Sequence, residues 1–111
     1  MLHALTDTER KERLQGLADW SYDPERRALC RSVRFPTFME AIAAMTRIAL
    51  AADRMNHHPE WFNVYDRLDV RLTTHDVGDV SIKDVELART IDVIIDPYAS
   101  TRRTADVRSV A

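Results

Sequence analysis

The chain has 111 residues, of which 45% are hydrophobic and 31% are charged, with a formal net charge of −2 at pH 7. This length predicts a single domain, since single cores commonly span about 100 to 150 residues. The small negative charge argues against direct nucleic-acid binding, which needs a positively charged surface. Cys30 is the only cysteine, which excludes an internal disulfide and a zinc site built on several thiolates.

The start of the chain and its apolar runs bear on the cellular compartment. The first residues reach Asp7, Glu9 and Arg10 without an apolar stretch, so no signal peptide is expected. No run approaches the roughly 20 apolar residues of a membrane-spanning helix. We therefore expect a soluble, cytoplasmic protein that does not bind membranes.

Three helices are predicted from capping signals and apolar spacing. In each, a threonine or serine is followed three residues later by an acid that can complete a capping box, which predicts helices over residues 6–17, 37–58 and 81–96. Asp84 is the capping acid of the last helix. Pro59 and Pro97 are expected to end the second and third helices, because proline disfavours helical geometry around it.

Four strands are predicted from period-two alternation between turn residues, over residues 20–22, 28–35, 61–65 and 67–73. Arg31 shares a face with apolar residues of the second strand, which leaves the inward face of that strand open. The order α-β-β-α-β-β-α predicts an α+β fold, a four-stranded antiparallel sheet with three helices packed on one face. We expect residues 1–96 to form this domain and residues 97–111 to form a flexible C-terminal tail.

Three of the four histidines lie between residues 57 and 75. His57 is at the C-terminal end of the main helix, where the backbone favours an imidazolium, and Asp53 lies one turn earlier on the same face. Such a histidine can give and take protons near neutral pH, as general acid–base catalysis requires. A capping histidine without chemistry is the alternative. Pro59 is expected to turn the His58 ring away from His57, and His75 is expected at a loop mouth; position alone also allows both to be surface residues.

Aromatic residues follow the paired histidines. Trp61 and Tyr65 share strand parity with Asn63, which predicts an aromatic face with an amide that suits a flat heterocycle. A core or subunit contact is the alternative for each aromatic side chain. A zinc site is not expected, because adjacent His57 and His58 cannot share a helical face and no HExxH pattern occurs.

One string of residues is specific enough to indicate a family. The segment DRMNHHPEWFNVY (residues 53–65), followed by TTHD (residues 73–76) and SIKD (residues 81–84), resembles the pterin-4a-carbinolamine dehydratases. The resemblance covers roughly residues 5 to 96. It implies the α+β fold derived above and a homo-oligomer, either a dimer or a tetramer.

The resemblance also implies an activity. Members of the family remove water from 4a-hydroxytetrahydropterin, a product of aromatic amino acid hydroxylases, giving quinonoid dihydropterin for reuse without a metal or organic cofactor. By this similarity, His57 and His75 are expected to be the acid–base histidines, and His58 to bind and orient the pterin. Further matched positions are implied to bind substrate or shape the site: Trp61, Asp84, Asp53, Asn56 and Lys83.

This sequence departs from the family pattern at four positions. Asp53 stands where animal members usually have glutamate, which shortens its reach towards His57. Asn56 replaces an aspartate of some members, and Lys83 replaces a frequent arginine. Where many bacterial members have Gly-Gly, this chain has Gly78 followed by Asp79. The added charge in the loop after the third histidine is expected to alter substrate preference.

Two other functions remain open at this point. Some animal relatives act as dimerisation cofactors of a homeodomain transcription factor, so the amphipathic helices could instead make this chain a protein-binding module. A pterin-binding protein that serves another pathway is the second alternative.

Overall fold

The computed structural model describes residues 1–110, with side chains described through Tyr98. Within residues 1–110 the elements follow in the order α1 (Asp7–Leu14), β1 (Ser21–Asp23), β2 (Ala28–Arg34), α2 (Phe38–Met55), β3 (Glu60–Val64), β4 (Arg67–Leu72) and α3 (Ile82–Val110). A 3-10 turn, His75–Val77, lies between β4 and α3. This order confirms the predicted α+β fold. None of the helices in the described part of the chain is long and apolar enough to span a bilayer.

The four strands form one antiparallel sheet in the order β1-β2-β4-β3. β2 pairs with β4 from Leu29 opposite Leu72 to Arg34 opposite Arg67, so these two strands are central and β1 and β3 are the edges. β3 and β4 are joined by the tight turn at residues 65–66. The sheet therefore brings β3, which follows the paired histidines, beside β4, which precedes the third.

The core lies between the sheet and the pair of helices α2 and α3. Leu68, Val70 and Leu72 alternate along β4 towards this core, with exposures of 2% or less, as a half-buried strand requires. The buried residues of α2 are mostly small and recur every three or four positions: Ala41, Ala44, Ile48 and Ala52. Small side chains on this stripe allow α2 to lie close to its neighbours.

The predicted capping signals set where the helices begin. Thr6 and Glu9 form both halves of a capping box at α1, and Thr37 accepts the Glu40 N–H at α2. α2 ends earlier than predicted, at Met55, because Asn56 adopts the left-handed conformation (φ 51°, ψ 41°). Such a residue reverses the chain direction and terminates a helix.

The last helix continues past Pro97 to Val110, so the prediction that this proline ends it is wrong. Proline removes one helical N–H and crowds the preceding turn. Tyr98 packs edge-on against Phe35, with ring centroids 5.7 Å apart and planes at 69°, which holds this turn against the core. The flexibility predicted for residues 97–111 stays a prediction, and beyond Tyr98 the tail's side chains lie outside the described residues.

The sequence left open which face of β2 points inward. Arg31 lies on the core-facing side of β2, together with Val33. Its side chain is 8% exposed, and its guanidinium binds Asp92 of α3 and Asp19 at 3.5 Å. The Trp20 Nε1–H donates to the same Asp92 oxygen at 2.7 Å. A buried ion pair therefore fastens the sheet to α3.

We predict that replacing Asp92 destabilises the folded chain more than replacing Arg31 does. Asp92→Ala leaves a buried guanidinium with one exposed partner, which should lower the free energy of unfolding by about 3 kcal/mol. Arg31→Met removes the buried cation and keeps an apolar chain, which should cost about 1 kcal/mol or less. Urea denaturation measures both, with Asp96→Ala on the exposed side of α3 as the control; equal losses would contradict the prediction.

A second charged pair joins β3 to β4. Glu60 and Arg71 are opposite each other in the ladder, and the Arg71 Nε–H donates to Glu60 Oε1 at 2.8 Å. This hydrogen bond is the main cause that holds the pKa of Glu60 below its usual value of 4.5, against a smaller opposing effect of burial. Glu60 therefore keeps its charge to a lower pH than an unpaired glutamate does.

The lowered pKa of Glu60 predicts how the stability of the folded chain changes with pH. A depressed carboxyl pKa stabilises the folded chain above the usual value of 4.5, and this stability is lost as the pH falls through the lowered pKa. Glu60→Gln should therefore lower the free energy of unfolding at neutral pH by about 0.5 kcal/mol, since both side chains are partly exposed, and by less at about pH 3. Urea titrations at both pH values test this; an undiminished difference in acid would rule it out.

Candidate active site

His57 is the most buried of the three motif histidines. It directly follows the left-handed Asn56, its side chain is 11% exposed, and its Nε2 lies 2.6 Å from Asp84 Oδ1. The predicted partner Asp53 instead lies beside the next residue, so the expected Asp53–His57 pair is wrong. Because the left-handed residue before His57 turns the chain out of the helix, His57 does not lie one helical turn beyond Asp53. The four-residue spacing of helical neighbours therefore does not apply to these two residues.

Asp84 is fully buried and has three partners. Its Oδ2 accepts the Ser81 N–H at 2.9 Å, as predicted for the capping acid of α3, and the Thr74 hydroxyl at 2.6 Å. Its other oxygen faces His57. A buried carboxylate needs such partners, because burial without them is costly. Asp84 therefore joins the start of α3 to the end of α2 and to the segment after β4.

His58 lines a cleft beside α2. Its Nε2 is 3.3 Å from Asp53 Oδ1, and both side chains are exposed. The cleft, hereafter the apolar cleft, has a volume of about 550 Å³ and is lined by Thr46, Ala49, Leu50, Ala52, Asp53, His58, Pro59 and Trp61. This volume lies within the range of small-molecule sites.

His75 begins the 3-10 turn after β4, and its side chain is 81% exposed. Its Nε2 lies 3.0 Å from Glu60 Oε2, while the other oxygen of Glu60 accepts from Arg71. Glu60 and Arg71 line a second concavity of about 490 Å³ on the open face of the sheet, hereafter the polar cleft. Trp61 lines both clefts.

Each motif histidine thus has its own carboxylate. His57 pairs with Asp84, His58 with Asp53, and His75 with Glu60. Among the described residues, neither cleft is lined by all three rings: His58 lines the apolar cleft, and the partner of His75 lines the polar cleft. One member of each pair lies in the short segment 57–60, and His57 and His75 themselves line neither cleft.

Other predicted residues have structural partners instead. The Asn63 amide donates to the carbonyls of Tyr65 at 3.1 Å and Arg67 at 2.8 Å, so it closes the β3–β4 turn. Tyr65 lies in that turn with φ 51°, outside the strand. The predicted aromatic face with a free amide is therefore wrong, and Trp61 alone of those three residues lines a cleft.

Three of the five predicted substrate contacts line neither cleft: the fully buried Asp84, Asn56 and Lys83. Asn56 is exposed and forms the left-handed turn that ends α2. Lys83 is half-buried in the first turn of α3, where its backbone N–H donates to Ser81 Oγ at 3.2 Å. Both positions lie next to one member of the His57–Asp84 pair in the chain.

Sequence reasoning gave no role to Glu60, Arg71 or Thr74. Glu60 is part of the matched string, but its contact with Arg71 depends on the pairing of β3 with β4. The bond from Thr74 to Asp84 spans ten residues and has no local signal. The described residues contain no group of three or more histidine, cysteine or acidic side chains placed to hold a metal ion.

Comparisons with known proteins show which family this chain belongs to. Residues 3–94 match a family model described as pterin 4 alpha carbinolamine dehydratase. A Burkholderia vietnamiensis protein that carries the name pterin-4-alpha-carbinolamine dehydratase is 55% identical over 92 residues, which cover 83% of this chain and 90% of the relative. A Burkholderia multivorans protein of the same name is 54% identical over 94 residues, which cover 85% and 92% of the two chains.

A solved structure shares the fold. The crystal structure of a transcriptional coactivator/pterin dehydratase from Brucella melitensis superposes with a TM-score of 0.80 at 40% identity, covering 83% of this chain and 98% of that one. The family-model match and the identity to curated relatives both extend over most of the chain. The chain therefore belongs to the pterin 4 alpha carbinolamine dehydratase family.

Proposed function

We propose that this protein removes water from 4a-hydroxytetrahydropterin and gives quinonoid dihydropterin, so that the pterin cofactor of aromatic amino acid hydroxylases can be reused. The observation that carries the proposal is the His57–Asp84 pair, 2.6 Å apart and largely buried, in a chain of this family. The reaction needs no metal or organic cofactor, because it consists of two proton transfers and one bond cleavage. The expected compartment is the cytoplasm.

The chemistry requires two proton-transfer groups. The bond between C4a and the hydroxyl oxygen breaks, the departing oxygen takes up a proton, and a ring nitrogen gives one up, so that one water leaves. Imidazoles suit both transfers near neutral pH. Positioned acid–base groups of this kind commonly contribute 10²- to 10⁴-fold in rate.

The contacts of His57 suit the role of base. Asp84 accepts from Thr74 and Ser81 through one oxygen, and its other oxygen lies 2.6 Å from His57 Nε2. We assign the imidazole proton to Nε2, facing this oxygen, which makes Nδ1 the atom that takes up a proton. We assign the donor role to His75, because a protonated His75 is held as an ion pair by Glu60 at 3.0 Å.

The apolar cleft suits a flat bicyclic ligand. Trp61 offers an aromatic surface, and His58 with Asp53 supplies polar groups at the same cleft, which would bind and orient the pterin. Asn56 and Lys83 remain proposed substrate contacts, and their support is their place in the two stretches that resemble the family, although both residue types depart from the family pattern.

We further propose that the protein is a homo-oligomer, either a dimer or a tetramer. Three large apolar side chains on α2 are exposed, Phe38 by 42%, Met39 by 71% and Leu50 by 55%. Exposed apolar groups on one helix favour a subunit contact. Native mass spectrometry measures the assembly.

A protein-binding role is the second candidate. It is favoured by the same exposed side chains of α2 and by the Brucella melitensis relative, which is described as a transcriptional coactivator as well as a pterin dehydratase. A stable hetero-complex with no pterin turnover would favour this role, whereas a homo-oligomer with turnover favours the enzyme.

The proposed activity is tested directly. Ultraviolet absorbance of freshly generated 4a-hydroxytetrahydropterin is followed with and without the purified chain. We expect its decay to accelerate in proportion to protein concentration. A decay rate equal to the spontaneous rate would refute the proposal and leave a pterin-binding protein of another pathway, or the protein-binding role, in its place.

The proposed roles predict different losses for the three histidines. His57→Ala and His75→Ala each remove a proton-transfer group and should lower kcat by about 100-fold or more. His58→Ala should raise KM and change kcat much less, since it removes a binding contact. Steady-state kinetics separate the two effects, and circular dichroism confirms the fold of each variant. The same loss of kcat in all three would contradict these roles.

A further inference from the structure

The turn that carries His75 is closed by backbone hydrogen bonds between its own residues. The Thr74 N–H donates to the Asp79 carbonyl at 3.2 Å, and the Gly78 N–H donates to the Thr74 carbonyl at 3.0 Å. Gly78 adopts a positive φ of 70°, which permits this tight reversal. Residues 74–79 therefore form a compact unit, and its position determines where the exposed His75 lies.

A side chain of β1 holds this unit from outside. The Tyr22 hydroxyl donates to Asp79 Oδ1 at 2.9 Å, across 57 residues of sequence. The same oxygen accepts the Val80 N–H at 2.7 Å, so the carboxylate joins the edge strand to the end of the turn. Asp79 is the residue whose charge was expected to affect substrate preference, and it lines neither cleft.

Tyr22 is itself held in place by α1. The Arg10 guanidinium carbon lies 3.6 Å from the centre of the Tyr22 ring, a cation–π contact, and Arg10 also bonds to Asp7 at 3.0 Å. Directly before α1, the Leu5 N–H donates to the Val80 carbonyl at 2.8 Å. The N-terminal segment and β1 thus hold the turn from the same side.

The opposite end of the turn reaches the buried pair. Thr74 donates to Asp84 at 2.6 Å, and Asp84 faces His57 at 2.6 Å. The turn is therefore fixed at one end by the carboxylate of the site and at the other by Tyr22.

From this arrangement we propose that Tyr22 and Asp79 are positioning residues. They hold the turn so that His75 keeps a fixed position relative to the His57–Asp84 pair. The inference rests on the proposed dehydratase function. Burial, reinforced by the neighbouring Asp79, raises the pKa of Tyr22 above its usual value of 10.0, so the phenol keeps its proton and remains a donor at neutral pH.

The test uses the full chain and removes one atom. Tyr22→Phe keeps the ring under Arg10 and loses the hydroxyl. A misplaced proton-transfer group slows the chemical step more than binding, so we expect kcat to fall by about five- to tenfold with little change in KM. Tyr98→Phe, which removes a hydroxyl at the distant contact with Phe35, is the matched control and should leave kcat unchanged.

Substitutions of the acceptor, Asp79, distinguish a positioning role from a general effect on stability. Asp79→Ala also removes the acceptor of the Val80 N–H, so it should lower kcat at least as much as Tyr22→Phe, and Asp79→Asn, which keeps an acceptor oxygen, should recover most of the lost rate. The double variant Tyr22→Phe with Asp79→Ala should be no slower than Asp79→Ala alone, because the contact with Tyr22 is already lost in that single variant. Amide hydrogen exchange should accelerate over residues 75–80 and stay unchanged in α2.

The outcomes distinguish the two proposals. If the unaltered chain accelerates dehydration and Tyr22→Phe retains its kcat, the positioning role is overturned and the dehydratase stands. Faster exchange throughout the chain, or no recovery by Asp79→Asn, would also overturn the positioning role, since either result indicates a general structural effect. A chain without dehydratase activity would overturn both.

Discussion

The arrangement of the candidate site depends on the contacts of one fully buried carboxylate, that of Asp84. It accepts the backbone N–H of Ser81 where α3 begins and the hydroxyl of Thr74 after β4, and its other oxygen contacts the ring of His57 after α2. A carboxylate without water is costly unless its oxygens are satisfied. The three segment ends are therefore held together by the requirements of a single side chain, and the site forms as part of the fold.

The three motif histidines differ in exposure although two of them are adjacent. The exposed fraction of the side chain is 11% for His57, 60% for His58 and 81% for His75. Different exposure allows different chemistry: a buried imidazole with a fixed partner has a defined tautomer, whereas an exposed one can meet a ligand and exchange protons with solvent. Exposure does not separate the proposed roles, because the two proposed proton-transfer histidines, His57 and His75, are the least and the most exposed of the three.

Much of the fold follows from local signals in the sequence. The capping boxes at Thr6 and Thr37, the apolar stripe of α2 and the alternation of β4 all predict the elements that form, because each depends on contacts within a few residues. The capping role of Asp84 is of this kind. The family string likewise predicts the candidate site histidines from their order along the chain, and their roles stay a prediction.

The rest depends on tertiary contacts that no local pattern specifies. Arg31 was ambiguous because its partner Asp92 lies 61 residues away. Asp53 was assigned to the wrong histidine, since helical spacing stops at the left-handed residue before His57. Pro97 does not end α3, where the ring contact between Tyr98 and Phe35 opposes the usual effect of proline.

The left-handed residue at the end of α2 has a consequence for how this site can evolve. Each residue of an α-helix advances the chain by about 100° and 1.5 Å. Inserting one residue before Asn56 would swing the following imidazole away from its buried acceptor and carry its neighbour out of the apolar cleft. The length of the stretch from Met55 to Glu60 is therefore constrained, whereas the exposed connection between β1 and β2 carries no member of the three histidine–carboxylate pairs.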